Sequence, residues 1–442
     1  MSTTRRFAHL NLFVTGYGYH EAAWKVSDDA WPATPGLDHF IRIAQLAELG
    51  VIDVLFLADG LGVALFRTQF MAQSGFDPID LLAALITSTA HIGLAATAST
   101  TYSEPWDIAR RFASLDLLSG GRASWNIVTT YHQLSAANFG AAGHPEHGDR
   151  YNRAAEYVEA VLKVWDGWED DAVIASRESG VWADPSKIHP PNHRGERYGV
   201  AGILPIPRSP QGYPVLAQAG SSDAGVALAA RYGELIFTPQ SSMENSTAFR
   251  ARLHSEARSL GRADDDVRLL PGLSFVLGRT QAKAQAAWRE LEDASSPQFR
   301  LHNLLHITGI DPLRVPSFDP DGPFPHHLFA AASNKTFAAA VTSTATGEGL
   351  TFRQTAERFS TLPGGLHFTG TPDAMADLIE RWWRRGAADG FTLQPLRMIR
   401  DLTVFVEDVV PILRRRGVVK PGYVGGTLRD ELGLSRPANR YA

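Results

Sequence analysis

The sequence predicts an α/β fold, a closed (β/α)8 TIM barrel, on three observations. Short apolar runs alternate with longer amphipathic segments along most of the chain, eight such runs can be read, and no Pro/Gly/Ser-rich linker or internal repeat divides them. At 442 residues the chain has room for two or three domains of about 150 residues, but a barrel with insertions reaches the same size. The unbroken alternation therefore assigns residues 1–442 to one barrel domain.

The alternation opens with LNLFVT, short enough for a strand, and the amphipathic stretch from Leu37 to Leu49, long enough for a helix. VLFLAD with Ile79 to Thr89 repeats the unit, as do GLAATAS with Trp106 to Leu117 and SWNIVTT with Tyr151 to about Trp165. PVLAQAG leads into a helix from Asp223 to Tyr232, LIFTP into one from Asn245 to Leu260, and VRLLPGLSFVLG into one from about Thr280 to Leu291. A helix from Pro372 to Arg385, the strand FTLQP and a helix from Leu402 to Arg415 complete the series. Strands joined in this way by helices lie parallel. Two stretches break the rhythm and read as insertions: 167–213, rich in Pro, Gly and Trp, and 295–365, which contains PSFDPDGPFPHH. Loops of that length are usually functional, so the second is expected to shape a substrate pocket, with packing between subunits as the alternative.

Composition removes several function classes. With 44% hydrophobic and 20% charged residues the chain has material for a large core, and a formal net charge of -5 offers no basic footprint for nucleic acid or an anionic membrane. The absence of cysteine excludes disulfides, iron–sulfur clusters, thiolate zinc sites and cysteine nucleophiles. His9 and Asn11 interrupt any apolar run after the two N-terminal arginines, and Asp53 and Asp59 interrupt the most apolar stretch. Neither a signal peptide nor a membrane span is read, which places the protein in the cytoplasm.

Most motifs fail on inspection. HEAAW at His20 lacks the second histidine of a zinc protease, the remaining histidine pairs lie in Pro-rich segments, and no metal is expected. GYGYH at Gly16 has two of the three dinucleotide-binding glycines, and Ser222 is followed at 224 by alanine rather than the glycine of a nucleophile elbow. Among the strand-adjacent acids only Asp59 falls at the C-terminal end of a strand, and a glycosidase needs a pair.

One constellation survives. Strand five ends in Gln218-Ala219-Gly220-Ser221-Ser222 and passes directly into a helix. Gly220 permits close backbone approach, the hydroxyls of Ser221 and Ser222 donate, and the first-turn amides carry partial positive charge, so the junction suits a phosphate. Either serine also serves as an ordinary helix cap. Arg150-Tyr151, read as opening the helix after strand four, adds a second hydroxyl beside the first site. Asp59, Thr97 with Ser99, and Asn126 with Thr129 close strands two, three and four. A row of small polar groups beside a phosphate cradle suits a planar polar ring across the barrel mouth, as in flavin mononucleotide (FMN).

Taken together, YHEAAW, FLADG, ATASTTYSEPWDIARRFASLDLLSGGRASWNIVT, RYNRAAEYVEAVLKVWDGWEDDA, IPRSPQGYPVLAQAGSSDAG, GTPDAMADLIERWWRRGAADGF and TLRDELGL resemble the flavin-dependent monooxygenases of the bacterial luciferase-like superfamily. The resemblance is to the branch holding nitrilotriacetate, dibenzothiophene-sulfone and long-chain alkane monooxygenases, and it spans nearly the whole chain outside about 295–365. It implies a barrel that takes FMNH2 from a separate NAD(P)H:flavin reductase, activates O2 as a flavin C4a-(hydro)peroxide and oxygenates a small organic substrate, with the chain a homodimer or homotetramer.

Position by position, the resemblance implies cofactor contacts for Asp59, Thr97, Asn126, Tyr151, Ser221 and Ser222, to which the strand-end reading adds Thr129 and Gly220. His20 matches the histidine of the family's N-terminal GHHxxAW-like motif and is the implied catalytic residue, although this chain reads YGYHEAAWK. In a second departure, TTYHQLSAANFG, the family more often has an alanine-arginine pair before NFG, and Tyr131 and His132 are expected to reshape the pocket. With Phe13, Phe56 and Phe237, and with Phe324 in the second insertion, they favour an apolar or aromatic substrate. A deazaflavin-dependent oxidoreductase of the same superfamily and a flavin-binding barrel without turnover are the alternatives.

Overall fold

The computed structural model describes residues 6–27, 35–72, 75–130, 135–141, 143–312, 315, 319–330, 332, 335–359 and 365–442. Nine parallel strands form its main sheet: β1 (His9–Phe13), β2 (Val54–Leu57), β3 (Gly93–Ser99), β4 (Ala123–Val128), β5 (Val215–Ala219), β6 (Leu235–Thr238), β7 (Arg268–Leu277), β8 (Leu366–Gly370) and β9 (Gly390–Pro395). All but β8 close into a barrel, with β6 pairing to β7 and β9 returning to β1 through the register His9↔Gly390 to Leu12↔Leu393. The eight expected strands are these eight.

β8 is the unexpected strand. β7 is long: residues 268–271 pair with β6, and β8 takes up residues 273–277, where β6 no longer reaches. The sequence LHFTG offers no apolar run, and its residues are only half-buried.

Period-two alternation sorts the barrel side chains. Leu10, Leu12, Leu55, Leu94, Trp125 and Ile127 pack outward against the helices, whereas Val54, Phe56, Ala95, Val215, Ala217, Leu235 and Leu270 form an inner cluster. Leu428, Leu432 and Leu434 join that inner cluster, so the short helix Leu428–Leu432 plugs the end where the strands begin. Gly93 makes room for it, since a Cβ there would lie 2.5 Å from Leu428 Cδ1.

Several expected helices shift. The helix after β4 spans His147–Trp165, so Arg150-Tyr151 does not open it and Tyr151 projects from its second turn. The closing helix begins at Met398. The helix Gln281–Ala294 leaves the outer ring: Ala287 and Leu291 pack with Val276, Leu396 and Val26 near the C-terminal ends of β7 and β9. Its place in the ring is taken by Pro372–Arg384, whose Trp382 meets Phe391 at 5.7 Å.

Of the two insertions, 167–213 holds a short antiparallel pair, His193–Arg194 with Gly199–Val200, and an arm in which Ile174 N–H donates to the Trp182 carbonyl at 2.8 Å. The other is largely helical where described, with Pro297–Ile307, His326–Ala330, Lys335–Glu348 and Phe352–Phe359. It carries its own apolar cluster, which includes Phe324 and Phe329 at 4.7 Å, so Phe324 is a core residue of the insertion and not a mouth residue. Among the described residues no helix is long and apolar enough to cross a membrane.

The plug is anchored electrostatically. Lys420 Nζ lies 2.7 Å from Asp53 Oδ1 and also contacts the Glu431 carboxylate, and all three side chains are buried. Burial alone would raise the Asp53 carboxyl, but Lys420, with His9, brings it down to about 2. A depressed carboxyl stabilises the fold above the ordinary Asp pKa, and that contribution is lost as pH falls from about 4 through about 2. Lys420→Met strands two buried carboxylates and is expected to cost about 3–5 kcal/mol in urea denaturation at pH 7. Arg279→Gln, which breaks exposed pairs with Glu407 and Asp408, should leave the midpoint nearly unchanged. Equal, small losses in both variants would contradict the anchoring.

Candidate functional site

Parallel closure brings the C-terminal ends of all strands to one mouth. On the β4–β5 side, Ser222 caps the helix Asp223–Tyr232, its Oγ accepting the Gly225 N–H at 3.2 Å. Gly220 has φ 155°, a conformation that L side chains rarely adopt, and a Cβ there would stand 2.9 Å from Gln218 Nε2 and 3.4 Å from Tyr151 Oη. A Cβ on Gly225 would stand 3.2 Å from Ser222 Oγ and 3.4 Å from the same Tyr151 oxygen. Two hydroxyls and two bare backbone segments thus converge at the positive end of a helix dipole, with Ser221 and Ser222 exposed. The arrangement can receive a phosphate-sized anion.

Along the neighbouring rim, Asn126 Nδ2 donates to Thr97 Oγ1 at 2.8 Å, both buried and in register on β3 and β4. Thr129 lies just beyond β4, its carbonyl accepting from Thr101 Oγ1 at 2.9 Å and from Arg150 at 3.3 Å. Arg150 also donates to the Thr130 carbonyl, and Thr130 has φ 49°. Arg150 thereby clamps the turn from which the rim is built, a role that its place in the sequence does not announce. Ser99 Oγ meets Thr130 Oγ1 at 2.6 Å. Asp59 stands in the loop after β2, where desolvation and the Asp77 carboxylate push its pKa up.

The floor of the mouth is aromatic. Phe13 and Phe56 stand 5.3 Å apart, and Phe56 and Phe237 6.3 Å. Phe237 reaches across β7 because residue 272 is glycine: a Cβ there would stand 3.0 Å from its ring and 3.1 Å from Gln394 Oε1. Tyr131 and His132 lie outside the described residues.

His20 sits after β1, four strands from β5 around the barrel. Its side chain is fully enclosed: Nδ1 accepts the Ala22 N–H at 3.1 Å and lies 3.2 Å from Glu21 Oε2, while Nε2 faces Glu292 Oε1 at 3.7 Å. Trp288 meets the ring edge-on at 6.2 Å. The structure therefore groups Tyr151, Gly220 and Ser222, groups Thr97, Asn126 and Thr129 beside them, sets the three phenylalanines below, and keeps His20 apart among protein groups. Among the described residues no cluster of three or more His, Asp or Glu is placed to hold a metal.

The floor yields a stability test. Gly272→Ala should cost about 1–3 kcal/mol by overpacking against Phe237. Phe237→Leu in the same chain should recover part of that loss in urea denaturation, and additive losses would mean that the two positions do not touch.

Residues 20–390 match the luciferase-like monooxygenase family. The chain is 42% identical to N-acetyl-S-(2-succino)cysteine monooxygenase of Bacillus subtilis, over 100% of each chain. It is 38% identical to nitrilotriacetate monooxygenase component A of Aminobacter aminovorans, over 96% of each. A solved riboflavin lyase, in a structure with modified FMN and riboflavin, superposes with a TM-score of 0.83 at 32% identity, covering 98% of each chain. Family match, full-length relatives and the closed eight-strand barrel agree: the chain belongs to the luciferase-like monooxygenases.

Proposed function

We propose that this monooxygenase takes reduced FMN from a separate NAD(P)H:flavin reductase and uses it with O2 to oxygenate a small organic substrate. The observation that carries the reading is the cradle of Tyr151, Gly220, Ser222 and Gly225, whose hydroxyls and bare backbone fit a phosphate and whose glycines leave it space. Ser221 lies beside it, exposed. Thr97, Asn126, Thr129 and Asp59 are the polar groups within reach of a flavin ring, and Arg150 holds the turn that presents Thr129. Reduced FMN, when bound, supplies the electrons for oxygen activation. The chain's own part is to orient the ring, keep water out and seat the substrate.

Phe13, Phe56 and Phe237 support a substrate whose reacting part is apolar or aromatic. The relative at 42% identity is named for a thioether, N-acetyl-S-(2-succino)cysteine, which makes that compound the first to assay. We assign the chain to the cytoplasm as a homo-oligomer. The exposed Ile174, Val181 and Trp182 on the arm of the first insertion support self-association, Trp182 being 67% exposed.

Ser222→Glu should abolish FMN binding, because the new carboxylate meets the same amides as the phosphate, while circular dichroism stays unchanged. Unaltered FMN affinity in that variant would displace the cradle. The isolated chain with FMN should not oxidise NADH until a reductase is added, and direct NADH oxidation would contradict the two-component reading.

A further inference from the structure

Three successive carbonyls at the end of β4 are each held by groups from elsewhere in the chain. The Val128 carbonyl accepts the N–H of Thr100 at 2.9 Å and its hydroxyl at 3.2 Å. The Thr129 carbonyl accepts the Thr101 hydroxyl at 2.9 Å and Arg150 Nη1 at 3.3 Å, and the Thr130 carbonyl accepts the same Nη1. Ser99 Oγ accepts the N–H groups of Thr101 and Tyr102 at 3.1 and 3.3 Å, which leaves its proton for Thr130 Oγ1 at 2.6 Å. Ser99, Thr100, Thr101 and Arg150 are all buried.

What these bonds hold is a backbone that threonine disfavours. The φ of 49° at Thr130 lies in the left-handed region, where a β-branched side chain is crowded against its own backbone. Glycine would adopt it freely. The turn keeps its shape because the bonds around it outweigh the local strain, and backbone over-determined in this way collects at functional sites.

Arg150 is the unusual member of the set. It sits in the first turn of the helix His147–Trp165, where the helix dipole opposes a cation, and it is buried, where desolvation opposes one as well. Among the described residues no carboxylate pairs with it, and its hydrogen bonds go to the turn. Tyr151, the next residue of the same helix, stands over Gly220 and Gly225 in the cradle. One helical turn therefore touches the cradle with Tyr151 and the polar rim with Arg150.

We propose that Arg150 is a positioning residue for the flavin ring: it locks Thr130 in left-handed backbone and so fixes the rim of Thr97, Asn126 and Thr129 relative to the cradle. The lock is a property of the chain itself, and its effect on flavin rests on the proposed function. Because it acts on the ring side, its loss weakens any flavin that presents the ring, with or without a phosphate.

Anaerobic titration of the intact chain with reduced FMN and with reduced riboflavin tests it. Arg150→Met keeps an apolar stem and removes the donors, and it should weaken both flavins about 10-fold with their ratio as in wild type. Adding Thr130→Gly to Arg150→Met should restore most of the affinity, since glycine keeps the left-handed turn unaided, whereas adding Thr130→Ala should restore none. A loss confined to reduced FMN would make Arg150 a counter-charge for the phosphate and overturn the lock. Unchanged affinity in Arg150→Met, or equal recovery with alanine and glycine, would overturn it too.

Hydrogen exchange of the ligand-free chain over 99–103 and 126–130, with β9 as internal reference, gives a readout independent of flavin. Exchange there should quicken about 10-fold in Arg150→Met and return toward wild type with Thr130→Gly alone of the two second substitutions, and unchanged exchange would contradict the lock. Thr101→Val removes one donor to the Thr129 carbonyl and leaves the guanidinium, and it decides the case if Arg150→Met fails to fold. It should speed exchange and weaken both flavins about 3-fold, and no change in either would count against the proposal. If the wild-type chain fails to bind reduced FMN, the proposed function falls while the exchange result still decides the lock.

Discussion

Closing eight parallel strands gathers every C-terminal strand end at one mouth, and the location of the chemistry follows from that closure. A barrel of this size has to be filled with side chains. Leu428, Leu432 and Leu434 fill it where the strands begin, held by the buried Asp53–Lys420–Glu431 cluster. Phe13, Phe56 and Phe237 fill it near the mouth, and Gly272 gives Phe237 the space to do so. With the interior occupied, the rim is where a ligand can be received, and it is polar on one side and aromatic below.

The rim is divided by chemistry. Polar groups concentrate on β3, β4 and the β5–helix junction, where Asn126 is bonded to Thr97 and Tyr151 leans over Gly220 and Gly225. A group of ionisable side chains lies on the opposite side, where His20 and Glu21 meet Glu292 and Arg300. That separation matters for a phosphate-bearing cofactor, because buried carboxylates near the cradle would oppose an anion while the helix dipole favours it.

The barrel was legible because period and run length are local properties: each β/α unit shows in its own stretch of sequence. The cradle was legible for the same reason, since glycine and serines at a strand–helix junction carry their meaning within five residues. β8 was not, because LHFTG becomes a strand only through the edge of β7 that β6 does not reach. The helices of 295–365 were hidden by the prolines and aspartates of PSFDPDGPFPHH, which break the period between them. The Ser295–Glu21 hydrogen bond joins residues 274 positions apart, and no spacing in the sequence marks such a partnership. Arg150 is a similar case, its function being to hold two carbonyls about 20 residues upstream. The family resemblance located His20, and only the folded structure shows that its Nδ1 accepts the Ala22 N–H and that its Nε2 faces Glu292 at 3.7 Å.

The central claim is that the cradle of Tyr151, Gly220 and Ser222 recognises the phosphate of reduced FMN. An anaerobic titration of the intact chain with reduced FMN and with reduced riboflavin, which share the same ring system but differ in the phosphate, tests it most directly. The account predicts that removing the phosphate weakens binding about 100-fold, equivalent to about 2.7 kcal/mol. Equal affinity for the two flavins would contradict it and leave the cradle without a ligand.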